Sequence, residues 1–74
     1  MLYLNEAREG KNYHIVWLLG SIGKHLMQTF GIKRNMRLRV VRRDPEGGLI
    51  IECNGRRLAL SLDAAAMVYV EGIA

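Results

Sequence analysis

The sequence is short of the residue types and segments on which several classes of protein depend. Its single cysteine, Cys53, allows no disulfide within the chain, which fits a reducing cytosol. The longest strongly apolar run, Ile15 to Leu19, is five residues, whereas a membrane-spanning helix needs about 20. The first ten residues carry Glu6, Arg8 and Glu9 and lack the apolar centre of a signal peptide. We therefore expect a cytoplasmic protein that meets a membrane only through a partner.

The length of 74 residues also limits what the chain can do. A single domain over residues 1–74 buries about 60–65% of the surface that its unfolded chain exposes, which leaves little room for a deep catalytic cleft. Ser21 and Ser61 have no base beside them, and Gly20–Gly23 lacks the lysine of a phosphate-binding loop. We expect a binding or adaptor module that needs no cofactor and is not an enzyme.

Side chains that prefer transition metals are equally scarce. His14, His25 and Cys53 are the only ones, and their spacing matches no zinc or iron signature. Free cysteine is often a small buried apolar residue, and scattered histidines are usually structural or solvated. We expect no metal site, with an intrinsic transition-metal-binding domain as an alternative.

Basic residues outnumber acidic ones in the sequence. The formal net charge is +4, and six of the eleven lysines and arginines lie between Lys33 and Arg43. Such a cluster is typical of contact with phosphates, an acidic protein or an anionic membrane, and also of a solvated strand face. The five aromatic residues all lie elsewhere, at Tyr3, Tyr13, Trp17, Phe30 and Tyr69. Several fall in expected core stretches, so base stacking is not indicated. We expect no nucleic-acid partner and keep a small basic nucleic-acid-binding barrel as an alternative.

Glycines divide the chain into short segments of the kind found in small barrels. Tyr13–Leu19 is rich in β-branched and aromatic residues and is predicted to be a strand. A helix is predicted from Ile22 or Gly23 to Phe30, with Ser21 as its N-terminal cap and Gly31 in the left-handed conformation at its end. The apolar stripe of this helix consists of Ile22, Leu26, Met27 and Phe30.

The clearest local signal is Asn54-Gly55, which lies between the β-like runs Leu49–Cys53 and Arg56–Leu62. An Asn-Gly pair in this setting predicts a two-residue type I′ hairpin, because both central residues need positive φ. The register follows, and it places Glu52 opposite Arg57 as an ion pair across the strands. The predicted core side of the hairpin consists of Leu49, Ile51, Cys53, Leu58 and Leu60.

Two more strands complete the prediction. Met36–Arg43 alternates so that Met36, Leu38 and Val40 face the core. Asp63 is predicted to cap a single helical turn, and Met67–Glu71 is predicted to be the closing strand. The predicted fold is mostly β: a small SH3-like barrel of about five strands, with one short helix between the first and second strands.

An apolar spot is predicted on the outer side of these strands. Val41, Ile50 and Ala59 are out of phase with the core, and the charged residues around them are Arg37, Arg39, Glu52 and Arg57. An apolar centre with a charged rim is the general anatomy of a protein contact, so these residues form the predicted partner-binding surface. In the alternative, a bulge or the curvature of the barrel turns Val41 and Ile50 against the helix or a chain end.

The order of residues resembles that of a known family. The residues that carry the resemblance are Gly10, Ile15, Gly20, Phe30-Gly31-Ile32, Met36–Arg43, Pro45, Gly47-Gly48, Leu58-Ala59-Leu60, Ala65, Val68 and Val70. Across about Leu2 to Val70 the chain is similar to the ferrous iron transport protein A (FeoA) family. It departs from the family at Arg34-Asn35, where Pro-Gly is usual, and at Leu26, where a basic residue is usual.

The resemblance implies an SH3-like barrel and a role in bacterial ferrous iron uptake. It implies a non-enzymatic accessory protein whose partner is the cytosolic part of the membrane permease FeoB. The same module resembles the C-terminal SH3-like domain of iron-dependent repressors. The family also carries an association with transition-metal binding, for which these residues supply no ligands.

Overall fold

Six antiparallel strands form one sheet in the computed structural model, which describes residues 1–73. The strands are β1 (Leu2–Tyr3), β2 (Asn12–Leu18), β3 (Arg37–Arg43), β4 (Leu49–Cys53), β5 (Arg56–Leu60) and β6 (Val68–Gly72). Their order across the sheet is β1-β6-β2-β3-β4-β5, so β1 and β5 are the two edges. Helix α1 (Gly20–Phe30) joins β2 to β3, and the four-residue helix α2 (Leu62–Ala65) joins β5 to β6.

The prediction of a mostly β fold is therefore confirmed, with the longer helix between the first two predicted strands. The strand count is one higher than expected, because β1 and the 3-10 turn that follows it, Leu4–Glu6, were not predicted. β1 is only two residues long and pairs with β6. A strand this short leaves no alternation in the sequence by which it can be found.

One hydrophobic core lies on the inner side of the sheet. Its residues are Leu4, Ala7, Tyr13, Ile15, Leu18, Leu26, Ile32, Leu38, Val40, Leu49, Ile51, Cys53, Leu60, Ala65, Val68 and Val70. Side chains such as Ile15, Val40 and Val70 are completely buried, and burial of a side chain of this size contributes about 1.5–3 kcal/mol. Predicted core residues Met36 and Leu58 are only partly buried and pack against this cluster.

Helix α1 differs from the prediction at its start and in the side that it buries. It begins at Gly20, and Leu19 is its N-cap with no side-chain hydrogen bond, so the prediction of Ser21 as the cap is wrong. Gly23 and Leu26 are the buried positions. Two members of the predicted apolar stripe are wrong, because Met27 and Phe30 are 44% and 37% exposed. The helix therefore packs on the rest of the protein through a narrow strip that contains Gly23 and Leu26.

The hairpin between β4 and β5 is confirmed residue by residue. Asn54 and Gly55 have φ of 54° and 76°. All five predicted pairs are present, from Cys53 opposite Arg56 to Leu49 opposite Leu60. The Arg57 Nε donates to the Glu52 Oε2 at 3.3 Å, which confirms the predicted ion pair.

The turn into α2 is capped by a different residue from the predicted one. The Ser61 hydroxyl oxygen accepts a hydrogen bond from the Ala64 amide at 3.1 Å, so Ser61 is the cap and Asp63 lies in the first turn. The closing strand that follows, β6, begins and ends one residue later than predicted. Two residues before β3, Asn35 has φ of 70°, which is the left-handed conformation that asparagine tolerates better than most residues other than glycine.

Two β-bulges bend the sheet. One lies in β2 between Ile15 and Trp17, opposite β6, and the other lies in β3 between Val40 and Arg42, opposite β4. A bulge inserts one residue into a strand and restarts the alternation beyond it. In β3 the inserted residue is Val41, and this shift decides which side chains meet on the outer side of the sheet.

Candidate functional site

Side chains that point away from the core form rows across the sheet. In one row, Asn12 of β2, Arg39 of β3, Glu52 of β4 and Arg57 of β5 are successive Cα partners. In the next row, Arg42, Ile50 and Ala59 are partners in the same way. We call these seven residues together with Arg37 the outward face.

The structure brings most of the predicted partner-binding residues together. Ile50 lies opposite Ala59, and its strand neighbours Leu49 and Ile51 are buried on the other side of the sheet. Ile50 therefore lies on the outer side of the sheet, where it is half-buried. Val41 is the exception: because of the bulge, Arg42 and not Val41 is the partner of Ile50, and Val41 is half-buried at the inserted position.

Ile50 and Ala59 line a shallow groove. The groove has a volume of about 230 Å³ and runs towards the turn between β3 and β4, where its walls include Arg42 and Asp44. Gly48 lies in this turn with φ of 87°, and a Cβ at this position would lie 2.9 Å from the Leu60 carbonyl oxygen. The turn therefore lies directly against β5 at Leu60, and both Gly48 and Leu60 line the groove.

Exposed arginines lie in the same row as this apolar spot and in the rows beside it. Arg37, Arg39, Arg42 and Arg57 are all exposed, and Glu52 is the acidic member of the outward face. Arg43 makes a contact within the protein instead. Its guanidinium donates to the Ala7 carbonyl oxygen at 2.6 Å and so links the N-terminal segment to β3. The face is electrostatically suited to a partner with carboxylates, because clustered charge of one sign favours a surface of the opposite sign.

Several aromatic side chains lie at the surface, contrary to the prediction from the sequence. Of the five aromatics, only Tyr13 is buried, and its hydroxyl oxygen accepts a hydrogen bond from the Arg8 amide at 2.9 Å. Tyr3, Trp17 and Phe30 are exposed, so the expectation that several aromatics lie in the core is wrong. The exposure of Trp17 follows from the bulge at Val16, which shifts the alternation of β2 and turns the Trp17 side chain outward.

The residues that were considered for metal binding do not meet. Cys53 is buried on the inner side, where burial raises the pKa of its thiol, whereas His14 is half-buried on the outer side, with its Nε2 3.9 Å from a carboxylate oxygen of Glu71. The His25 Nδ1 lies 3.2 Å from the Thr29 hydroxyl on α1. Within residues 1–73, no three His, Cys, Asp or Glu side chains are grouped so that they could hold a metal ion. Across the same residues, each helix is too short or too polar to cross a bilayer.

Comparison with known proteins identifies both a family and a fold. The family model described as the FeoA domain matches residues 2–72. Among proteins with curated descriptions, none matches the chain significantly.

Solved structures give the same fold at low sequence identity. A FeoA-like protein from Clostridium acetobutylicum has a TM-score of 0.89 at 18% identity, over 99% of this chain and 87% of that one. FeoA from Stenotrophomonas maltophilia, described as an SH3 domain protein complexed with zinc, has a TM-score of 0.84 at 19% identity, over 96% of this chain and 91% of that one. A manganese-dependent transcriptional repressor has a TM-score of 0.82 at 22% identity, over 96% of this chain and 41% of that one. The prediction of an SH3-like fold is confirmed.

Proposed function

The chain belongs to the FeoA family of ferrous iron transport, and we propose that it is a non-enzymatic accessory protein that binds the cytosolic part of the FeoB permease. In this proposal the protein works in the cytoplasm and reaches the membrane only through the permease. Support for the transport role comes from the family match over residues 2–72. Further support is that the FeoA protein of S. maltophilia is discussed in its description as a factor that activates bacterial ferrous iron transport.

The observation that carries the binding role is the composition of the outward face. Ile50 and Ala59 place apolar surface in the lining of a groove whose wall includes Arg42. Arg39 and Arg57 lie in the neighbouring row of the outward face, and Arg37 lies one row beyond them. An apolar centre supplies the free energy of a contact through burial, and the charged rim selects the partner and speeds the encounter. Because the rim is basic, the proposed binding surface of the permease is acidic.

The direct test is a binding measurement with a variant that keeps the fold. Ile50→Glu places a carboxylate in the lining of the groove, where burial against a partner would leave it unpaired. We expect Ile50→Glu to fold, because Ile50 is outside the core, and to bind the purified cytosolic domain of FeoB at least tenfold more weakly than the wild-type protein. Circular dichroism checks the fold, and calorimetric titration measures the dissociation constant.

The matched control is Met27→Glu, which introduces the same carboxylate in place of another apolar side chain, at a position on α1 that is 44% exposed. The control should bind like the wild type. A folded Ile50→Glu variant with undiminished affinity would exclude the outward face as the docking surface, and a wild-type protein that does not bind would exclude FeoB as the partner.

A further inference from the structure

Three aromatic residues occupy adjacent positions in neighbouring strands on the outer side of the sheet, at the end opposite the Ile50 groove. Tyr3 of β1 is the Cα partner of Tyr69 in β6, and Tyr69 is the partner of Trp17 in β2. The Tyr3 and Tyr69 ring centroids are 5.0 Å apart with an angle of 49° between the ring planes. Tyr3 and Trp17 are 42% and 46% exposed. We call Tyr3, Tyr69 and Trp17 the aromatic row.

A guanidinium group lies over the aromatic row. The Arg34 Cζ is 4.4 Å from the centroid of the Trp17 ring, which is the geometry of a cation–π contact. The turn that presents Arg34 is fixed by its neighbour Asn35, which has φ of 70° and whose amide donates to the Ile15 carbonyl oxygen at 2.7 Å. Arg34 is therefore held beside Trp17 by the backbone that carries it.

The aromatic row continues into the outward face. Along β2, Trp17 and His14 are successive outward positions on either side of the bulge, and His14 lies between its partners Glu71 and Arg37. Arg37 is followed two positions later by Arg39 of the outward face. Successive outward positions on a strand are about 7 Å apart. One continuous surface thus runs from Tyr3 across the sheet to Ile50.

Tyr3 and Trp17 expose a large part of their rings to solvent. Single exposed apolar residues are ordinary, but adjacent ones form a patch that marks an interaction site. Tryptophan, tyrosine and arginine are also the three residue types that most often carry the binding energy of protein interfaces. The core is complete without Tyr3 and Trp17, neither of which is among its buried members. The row is therefore better explained by a partner than by stability.

We propose that the aromatic row is the energetic anchor of a protein contact. The partner presents an apolar or aromatic side chain that packs on Tyr69 and Trp17, with carboxylates beside it that pair with Arg34 and Arg37. This inference rests on the proposed function, in which that acidic surface belongs to the cytosolic domain of FeoB. The charge of the surface argues for such a partner, because Arg34, Arg37, Arg39, Arg42 and Arg57 outnumber Glu52 and Glu71.

The single tryptophan of the chain provides the readout. Protein labelled with 5-fluorotryptophan gives one fluorine resonance, from position 17, and this resonance is followed by NMR during titration with the purified FeoB cytosolic domain. We expect it to shift or broaden in step with binding. We also expect Trp17→Ala to weaken the dissociation constant at least tenfold and Trp17→Phe to weaken it less, because phenylalanine keeps a ring in the row.

Phe30→Ala is the matched control. Phe30 is an exposed aromatic residue on α1, outside the aromatic row, and its ring packs edge-on against His25. The control should change the dissociation constant less than twofold. Thermal unfolding of each variant establishes that it is folded, and Trp17→Phe keeps the test decisive if Trp17→Ala is unstable.

The outcomes separate this inference from the proposed function. If the FeoB domain binds while the fluorine resonance stays unchanged and Trp17→Phe and Trp17→Ala bind normally, the aromatic row is not the anchor and the proposed function stands. If the FeoB domain does not bind at all, both are overturned. If the resonance responds to a single-stranded oligonucleotide and not to the FeoB domain, the row serves base stacking, and the protein contact is refuted.

Discussion

Gly23 of α1 lies directly against the backbone of Leu18, the last residue of β2. A Cβ at position 23 would be 2.7 Å from the Leu18 carbonyl carbon and 3.1 Å from the Leu18 Cβ. The helix can pack this closely on the sheet only because position 23 has no side chain. In the sequence, Gly23 is a residue that weakens a helix, whereas in the structure it is a position of close approach between α1 and β2.

Gly23→Ala should therefore destabilise the protein, although alanine is the better helix former. The gain in helix propensity is about 1 kcal/mol, whereas overpacking against a backbone that cannot move aside costs about 1–3 kcal/mol and forces α1 away from β2. Urea unfolding measures the difference. Ser21→Ala, at an exposed position of the same helix, is the control and should be neutral or slightly stabilising. A Gly23→Ala protein more stable than the wild type would contradict the close approach.

The hairpin turn gives a second prediction. Gly55 has φ of 76°, and apart from its own and its chain neighbours' atoms nothing lies within 4 Å of the position of a Cβ, so a substitution there is strained by backbone conformation alone. Gly55→Val should lower the free energy of unfolding by about 1–3 kcal/mol, because a β-branched residue strongly disfavours positive φ. Gly55→Asn should cost less, since asparagine tolerates this region. Thermal melts of the two variants are the measurement, and equal melting temperatures would refute the type I′ assignment.

The hairpin was predictable from sequence because a two-residue loop fixes every pair that follows it. Once Asn54-Gly55 was identified, the inward side of Leu49, Ile51 and Cys53 and the ion pair between Glu52 and Arg57 followed by alternation. Gly31 at the end of α1 was predictable for a similar reason, because its left-handed conformation is a local property of one residue.

The surface was less predictable because bulges interrupt alternation. A strict two-residue period places Val41 on the outward face, whereas the inserted residue gives that place to Arg42. The bulge in β2 likewise exposes Trp17, which an apolar strand would otherwise suggest is core. Tyr3 pairs with Tyr69, which is far from it in sequence. No local sequence pattern predicts contact between residues so distant along the chain.

Cys53 gives a prediction for pH dependence. Burial raises the pKa of its thiol above the ordinary value of 9.0, because the low-polarity interior disfavours the thiolate. Above that pH the unfolded chain loses the proton while the folded chain keeps it, so the free energy of unfolding falls as pH rises, by at most about 1.4 kcal/mol per pH unit. Cys53→Ala should lose this component of the pH dependence. Unfolding titrations of both proteins from pH 7 upward measure it, and parallel curves would show that burial does not raise the pKa of the Cys53 thiol.

Metal binding by the isolated domain is expected to be absent at micromolar concentration. His14 points outward, Cys53 points inward and His25 lies on α1, so these side chains cannot share an ion without unfolding. Calorimetric titration with ferrous iron and with zinc, on the wild type and on the triple variant His14→Ala, His25→Ala, Cys53→Ala, is the measurement. Tight binding by the wild type and none by the triple variant would refute the prediction. This expectation concerns the domain alone, and the zinc described for the S. maltophilia protein belongs to that structure.

Amide NMR of the labelled protein, titrated with the FeoB cytosolic domain, tests most directly the claim that one side of the sheet is the docking surface. At 8.4 kDa the protein is small enough for every resolved amide to be followed separately. We predict that the largest shift changes and the strongest broadening occur from Trp17 through Arg37 and Arg39 to Ile50 and Ala59. Changes confined to α1 or α2, or none at concentrations where the permease domain is in excess, would contradict it.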